Sequence, residues 1–215
     1  EMSQQVIPSI DPDMAAQVHG HMREKGLNLL LGSALQKIEE TQSGITATIN
    51  DETIEADLLV MAIGVRPASE IAVKAGLPAN AKGALIVNSA METGVPGIYA
   101  VGDLIEINHF VTGEKGYIPL AGPANKQGRI AADNICGIPS RYTGTQGSSI
   151  LKIFDLAVAS TGINEKTAQA LHLNYDKSFT FSANHATYYP GATNMSIKTI
   201  FEKDTGKILG VQIVG

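Results

Sequence analysis

The chain has 215 residues, enough for one large domain or two smaller ones. Hydrophobic residues make up 44% and charged residues 17%, so a packed core is expected rather than disorder. The formal net charge of -5, without any block of Lys or Arg, argues against a nucleic-acid binder, and no apolar run is long enough to span a bilayer.

In chain order, Asp11-Pro12 is a helix start, with Asp11 as cap and Pro12 at the first helical position. Met14, Val18 and Met22 then share one face, and Gly26 closes the helix. Leu27 to Leu31 read as a strand. Leu35 to Glu40 and Ile45 to Asn50 read as paired strands joined at Ser43-Gly44. Leu58 to Ile63 reads as a buried strand ending on Gly64-Val65-Arg66-Pro67. Residues 1–64 are therefore expected to be part of an α/β domain whose first half lies outside the chain. The last residues read as a strand that stops mid-pattern, which suggests a fragment.

Ile71 to Ala75 reads as a helical turn closed by Gly76, and Ala84 to Val87 as a short strand. Ile98 to Val101 is a short β-rich apolar run that stops on Gly102-Asp103. A Gly-containing loop, Thr112 to Gly116, leads to a slim helix from about Pro123 to Cys136, closed by Gly137. Arg141 to Gly147 reads as a linker. Beyond it, Leu151 to Thr161 suggests a strand, and Asn164 caps a short helix through Leu171. Residues 175–183 look extended. Met195 to Phe201 and Lys207 to Val214 pair through Lys203-Asp204-Thr205-Gly206.

Residues alone leave Asp103 open to two readings. It is either a turn or cap residue, or a ligand-binding carboxylate at the carboxyl end of a strand, where open α/β sheets bind ligands. The histidines make no metal set: His19 and His21 fall on an expected exposed helix face, His109 in a loop, His172 after a helix and His185 beside two tyrosines. Cys136, the single cysteine, cannot form an internal disulfide, which fits a cytoplasmic compartment. It lacks the cationic or Cys-X-X-Cys setting of a reactive thiol and reads as structural.

Three stretches in order, "LVMAIGVRP" (59–67), "METGVPGIYAVGD" (91–103) and "YIPLAGPANKQGRIAADNICG" (117–137), resemble the second half of the FAD- and NAD(P)-dependent pyridine nucleotide–disulfide oxidoreductases. The resemblance implies an α/β fold: a fragment of a flavoprotein reductase with two dinucleotide-binding domains, followed by an incomplete α+β dimerisation domain. Residues 1–64 would belong to the nicotinamide domain, 65–140 to the second half of the FAD domain and 147–215 to the dimerisation domain. It implies that Asp103 accepts a hydrogen bond from an FAD ribityl hydroxyl, with Gly102, Leu104, Pro119, Leu120 and Ala121 at the same cofactor. Gly102 would let the backbone approach the pyrophosphate. The helix near Pro123 would aim its N-terminus at the flavin. Gly64 and Pro67 mark the crossover between the two nucleotide domains.

"NHATYYPGA" (184–192) resembles the coenzyme A-disulfide reductases and persulfide-reducing relatives. There a tyrosine of one subunit reaches the other subunit's reactive sulfur, a role that falls on Tyr188 first and Tyr189 second. Asn125 and Lys126 would contact coenzyme A. The implied partners are a small-molecule disulfide or persulfide and a second copy of the chain, with neither nucleic acid nor membrane. No two glycines are separated by one residue, so no G-x-G-x-x-G loop is present. The phosphate loops and redox cysteine that the family needs are expected outside the chain. An NADH oxidase or peroxidase of the same family, and a non-catalytic interaction fragment, are the competing readings.

Overall fold

The computed structural model describes residues 1–42 and 44–215. The chain divides into two compact units. One comprises Glu1–Ile63, Ile150–Ser160 and Asn164–Gly215, and the other Gly64–Ser149 and Thr161–Ile163.

In the first unit, helix α1 (Pro12–Glu24) starts with Pro12 at its first position. It ends at Gly26, where φ is 86°. There Gly26 N donates to Arg23 O and Leu27 N to Met22 O, a paired closure that needs a residue at home with positive φ. Met14, Ala15 and Val18 are buried and pack with Ile10, Val158 and Val214. His19 and His21 are half-buried rather than exposed. The Nε2 of His19 accepts the Val6 N–H, and burial first, then Arg23, hold its pKa low.

Strands β1 (Leu35–Thr41) and β2 (Gly44–Ile49) pair antiparallel from Leu35↔Ile49 to Thr41↔Gly44. Of the turn between them, Ser43 lies outside the described residues. A third strand, β3 (Glu52–Ala56), follows through Asn50 and Asp51 at φ 49° and 67°. That Asn-Asp pair is the primed-turn signal that sequence reading passed over. Leu27 to Leu31 and Leu58 to Ile63 form no strand among the described residues. Leu58, Val60 and Ile63 are 75%, 73% and 85% exposed, against the expected burial. An apolar run becomes a strand only where another backbone completes its ladder, and no described neighbour does so here.

The second half of this unit is built on a five-stranded sheet whose spatial order is Ser149–Ile153, Leu156–Gly162, Ile208–Val214, Asn194–Glu202 and Tyr175–Ala183. The expected single strand over Leu151 to Thr161 is a hairpin, β6 (Ser149–Ile153) and β7 (Leu156–Gly162), turning at Phe154 with φ 56°. Helix α4 (Glu165–Ala170) is capped as expected, Asn164 Oδ1 accepting the Thr167 N–H at 2.9 Å. Strands β8 (Tyr175–Ala183), β9 (Asn194–Glu202) and β10 (Ile208–Val214) are antiparallel neighbours.

The polar centre of this unit is Lys198 on β9, whose side chain is 0% exposed. Its ammonium contacts Asp11 at 2.9 Å, Asp13 at 2.7 Å and Glu165, with the Phe179 ring 5.3 Å away. The Asp11 carboxylate also accepts the Glu165 N–H and the Gln212 Nε2, while Gln212 Oε1 accepts the Asp11 N–H. Asp11 therefore does not cap its own helix with its side chain, as the sequence suggested; the carboxylate is spent on this network. Burial alone would lower the Lys198 pKa, but its bonds to Asp13, Glu165 and Asp11 outweigh that and raise it. Burial likewise pushes Glu165 up, yet hydrogen bonds from Lys177, Lys198 and Tyr175 hold it down to about 2, against an ordinary 4.5.

In the other unit, α2 (Glu70–Lys74) is followed by Gly76 at φ 87°. The stretches at 84–87 and 98–101 are extended but joined only by isolated bridges, such as Leu85↔Ile105 and Glu92↔Tyr99, so neither is the expected full strand. Strands β4 (Ile107–Asn108) and β5 (Lys115–Gly116) close a small hairpin around residues 109–114. Helix α3 (Ala121–Ile135) begins two residues before the expected Pro123. Proline is tolerated there because first-turn N–H groups have no helical partner. The core gathers Leu85, Met91, Ala100, Ile105, Ile107, Ala131 and Tyr142. Tyr142 belongs to the expected linker, which is instead built in: Thr145 N donates to Asn108 O, and Phe110 N to Thr145 O. No described helix is long and apolar enough to cross a membrane.

Removing the Lys198 charge would leave Asp11 and Asp13 without its counter-charge and Glu165 with Lys177 alone. Lys198→Met should therefore cost about 3–5 kcal/mol in urea unfolding of the chain. A loss below about 1 kcal/mol would show the cluster to be worth no more than a surface pair. Glu165 titrates lower in the folded state than its ordinary 4.5, so its stabilisation is complete above about that pH and is lost as pH falls toward 2. The acid limb of a stability–pH curve should be flatter for Glu165→Gln than for the wild-type chain.

Candidate functional site

The backbone runs extended through Val101, at φ -146° and ψ 166°, and then turns at Gly102, where φ is 72°. Gly102–Leu104 form one short 3-10 turn. A Cβ placed on Gly102 would meet Ala124 Cβ at an ordinary 3.5 Å, so the positive φ rather than crowding calls for glycine. The Gly102 N–H is directed inward and donates to Oε1 of Gln127, at 2.7 Å.

Asp103 follows with an exposed carboxylate. Among the described residues nothing bonds to it, so the turn-or-cap reading has no hydrogen bond behind it. Tyr117 stands within electrostatic reach: burial first, and then the Asp103 charge, raise the phenol above its ordinary pKa and keep it protonated. Its Oη is covered yet has no hydrogen-bond partner. A buried hydroxyl without a partner is costly and points to a missing acceptor. An exposed acceptor thus stands within electrostatic reach of an orphaned donor.

Pro119 and Leu120 are half-buried ahead of α3, and Ala121 opens the helix with its side chain exposed. Leu120 offers no capping side chain, so the first-turn amides of α3 lack a side-chain acceptor. Asn125 and Lys126 are exposed on the same helix. Lys126 lines a cleft of about 360 Å³ with Phe110, Pro123, Tyr142, Gln146 and Ser148. Gly64, at φ 97°, is exposed and Pro67 half-buried. All these residues belong to one unit.

Tyr188 and Tyr189 belong to the other. They sit on the loop of residues 184–193 joining β8 to β9, closed at its base where Asn184 N donates to Thr193 O. Their rings lie 4.9 Å apart at 36°, and they are 82% and 60% exposed. Two adjacent, exposed tyrosines on a tied loop form a surface, not core. Cys136 is exposed at the C-cap of α3.

Gln127 and Tyr117 were not singled out from sequence. Gln127 had a visible signal: it is a polar side chain set, like Asn134, on the helix face that carries Ala124 and Ala131. Tyr117 had none beyond its place ahead of Pro119, because a covered hydroxyl is a three-dimensional property.

The family model described as pyridine nucleotide-disulphide oxidoreductase matches residues 1–128, and that of the corresponding dimerisation domain matches residues 148–215. The chain belongs to this family of oxidoreductases, enzymes whose cofactors are FAD and NAD(P)H. It is similar to an "NADH oxidase" of Methanocaldococcus jannaschii, at 37% identity over 100% of this chain and 48% of that protein. It is 32% identical, over 89% of this chain and 43% of the relative, to an "NAD(P)H coenzyme A polysulfide/persulfide reductase" of Pyrococcus horikoshii. Among solved structures, the reduced Bacillus anthracis CoADR-RHD matches with a TM-score of 0.94 and 45% identity, over 100% of this chain and 39% of that one. The chain spans about half the length of the curated relatives it matches.

The residues at the turn suit the polyol part of FAD. A carboxylate acceptor suits a hydroxyl donor, and the Tyr117 phenol supplies a donor to an oxygen. In the full-length enzyme, Asp103→Ala should therefore lower retained flavin far more than Asp204→Ala. Asp204 sits in an exposed turn and, among the described residues, its side chain accepts only from Asn174. Equal flavin absorbance per purified subunit in the two variants would remove Asp103 from the site.

Proposed function

We propose that this chain is the C-terminal part of a cytoplasmic, homodimeric flavoprotein that passes electrons from NAD(P)H through FAD to a coenzyme A disulfide or persulfide. In this reading residues 1–64 complete the nicotinamide domain, 65–140 the FAD domain, and 147–215 form the dimerisation domain. The observation that carries the sulfur chemistry is the exposed Tyr188–Tyr189 pair on a dimerisation-domain loop, where a phenol is free to reach a second subunit.

FAD, when bound, would supply the two-electron carrier between NAD(P)H and sulfur, and the residues of the turn and of α3 would hold it. Asp103 accepts from a ribityl hydroxyl, and Gly102 and Leu104 shape the turn that presents it. The protonated Tyr117 phenol donates at the same end. Pro119, Leu120 and Ala121 line the flavin edge, and the α3 amides stabilise negative charge there. Gly64 and Pro67 form the crossover between nucleotide domains. Asn125 and Lys126 bind coenzyme A, Lys126 meeting a phosphate as a point charge. Tyr188 of one subunit donates to a thiol or thiolate of the other. In this reading the redox thiol comes from outside residues 1–215, and Cys136, exposed at the C-cap of α3, takes no part.

The likeness to the Methanocaldococcus jannaschii protein favours a second reading, an oxidase that delivers the same electrons to oxygen. Thiol release from coenzyme A disulfide, set against oxygen or peroxide consumption, separates the two in the full-length enzyme.

Tyr188→Phe removes one hydroxyl and keeps the ring, so dimer stability should hardly change. Disulfide turnover should fall by roughly 10²-fold, the usual contribution of a positioned acid. Hydride transfer to the flavin, followed by rapid mixing with NAD(P)H, should be nearly unchanged. Tyr189→Phe should be milder. Loss of turnover only in Tyr189→Phe would transfer the role to that residue. If neither variant loses turnover, the pair serves interface packing.

A further inference from the structure

Gln127 is 1% exposed, on the face of α3 that also carries Ala124, Ala131 and, one turn beyond Ala131, Asn134. Burying a carboxamide among small apolar residues costs free energy unless its polar atoms are used. One atom is used: Oε1 accepts the Gly102 N–H at 2.7 Å. That amide belongs to the peptide at which the chain leaves its extended path, immediately before Asp103.

We propose that Gln127 is a positioning residue for the cofactor turn: it fixes the Val101–Gly102 peptide against α3 and so sets where the Asp103 carboxylate stands. The proposal rests on the reading that Asp103 meets the flavin polyol. The physical case is one of degrees of freedom. Gly102 has no side chain to restrict its backbone, so a glycine at φ 72° is the softest point of the turn. A hydrogen bond from a long helix to that glycine's own N–H removes the freedom where it is greatest. It also ties the turn to the helix that carries Asn125 and Lys126. A shorter amide at 127 could not span the gap, and an apolar side chain would leave the Gly102 N–H unpaired beneath the turn.

The test is a double-mutant cycle in the full-length enzyme, with FAD affinity of the apoenzyme read by flavin fluorescence. Gln127→Met should weaken FAD binding about tenfold, as expected for one hydrogen bond with a buried donor left unpaired. In the Asp103→Ala background the same substitution should change affinity less than about twofold, because the group it positions is gone. If Gln127→Met does not fold, Gln127→Asn takes its place in the cycle. Equal losses in the two backgrounds, or no loss in either, overturn the positioning role. A different result, Asp103→Ala binding FAD as wild type does, would overturn the reading of the site itself.

Discussion

A lysine ammonium with no access to water must be neutralised where it sits, and in this chain that requirement organises one of the two compact units. Lys198 draws Asp11, Asp13 and Glu165 around it, from segments far apart in sequence. Attraction alone would not justify burying the Lys198 ammonium and the Asp11 carboxylate, because desolvation costs about as much as the pairing returns. What the arrangement supplies is mutual orientation. Asp11 is bonded reciprocally to Gln212 on β10 and to the first amide of α4, so the start of α1, the sheet and α4 share one set of hydrogen bonds. The apolar contacts of Met14, Ala15 and Val18 with Val158 and Val214 follow from that docking.

The other unit is governed by a softer constraint. Gly102 permits the turn and α3 holds it, leaving Asp103 exposed and, among the described residues, unbonded, within electrostatic reach of the orphaned Tyr117 hydroxyl. A polar surface with unspent donors and acceptors is what a polyol ligand requires. Elsewhere in the same unit, comparable groups are consumed internally: Asn134 bonds to Ala90, Ile130 and Ser140, and Asn80 to Glu106. The contrast separates structural amides from those left for a ligand.

Much of the local structure was legible in the residues. Asp11-Pro12, Gly26, Asn164 and the Lys203–Gly206 turn act within a few residues of themselves, and each marks the element end it was expected to mark. Apolar runs were read less well. Leu58 to Ile63 looks like a buried strand yet is exposed, because burial depends on which backbone lies alongside and not on the run itself. Leu151 to Thr161 hid a hairpin, its turn at Phe154 lacking the usual Gly or Asn.

The sequence by itself determined the family, through three motifs in order, and singled out Asp103, Lys126 and Tyr188 as residues to watch. Those assignments are possible because a turn, a charge and a side-chain type are local properties. Only the tertiary structure decided that Asp11 serves Lys198 rather than its own helix, that Tyr117 keeps an unpaired hydroxyl, and that Gln127 reaches Gly102. Each of those depends on a distance between residues well separated along the chain, fixed by how helices and strands pack, and no spacing along the chain encodes it.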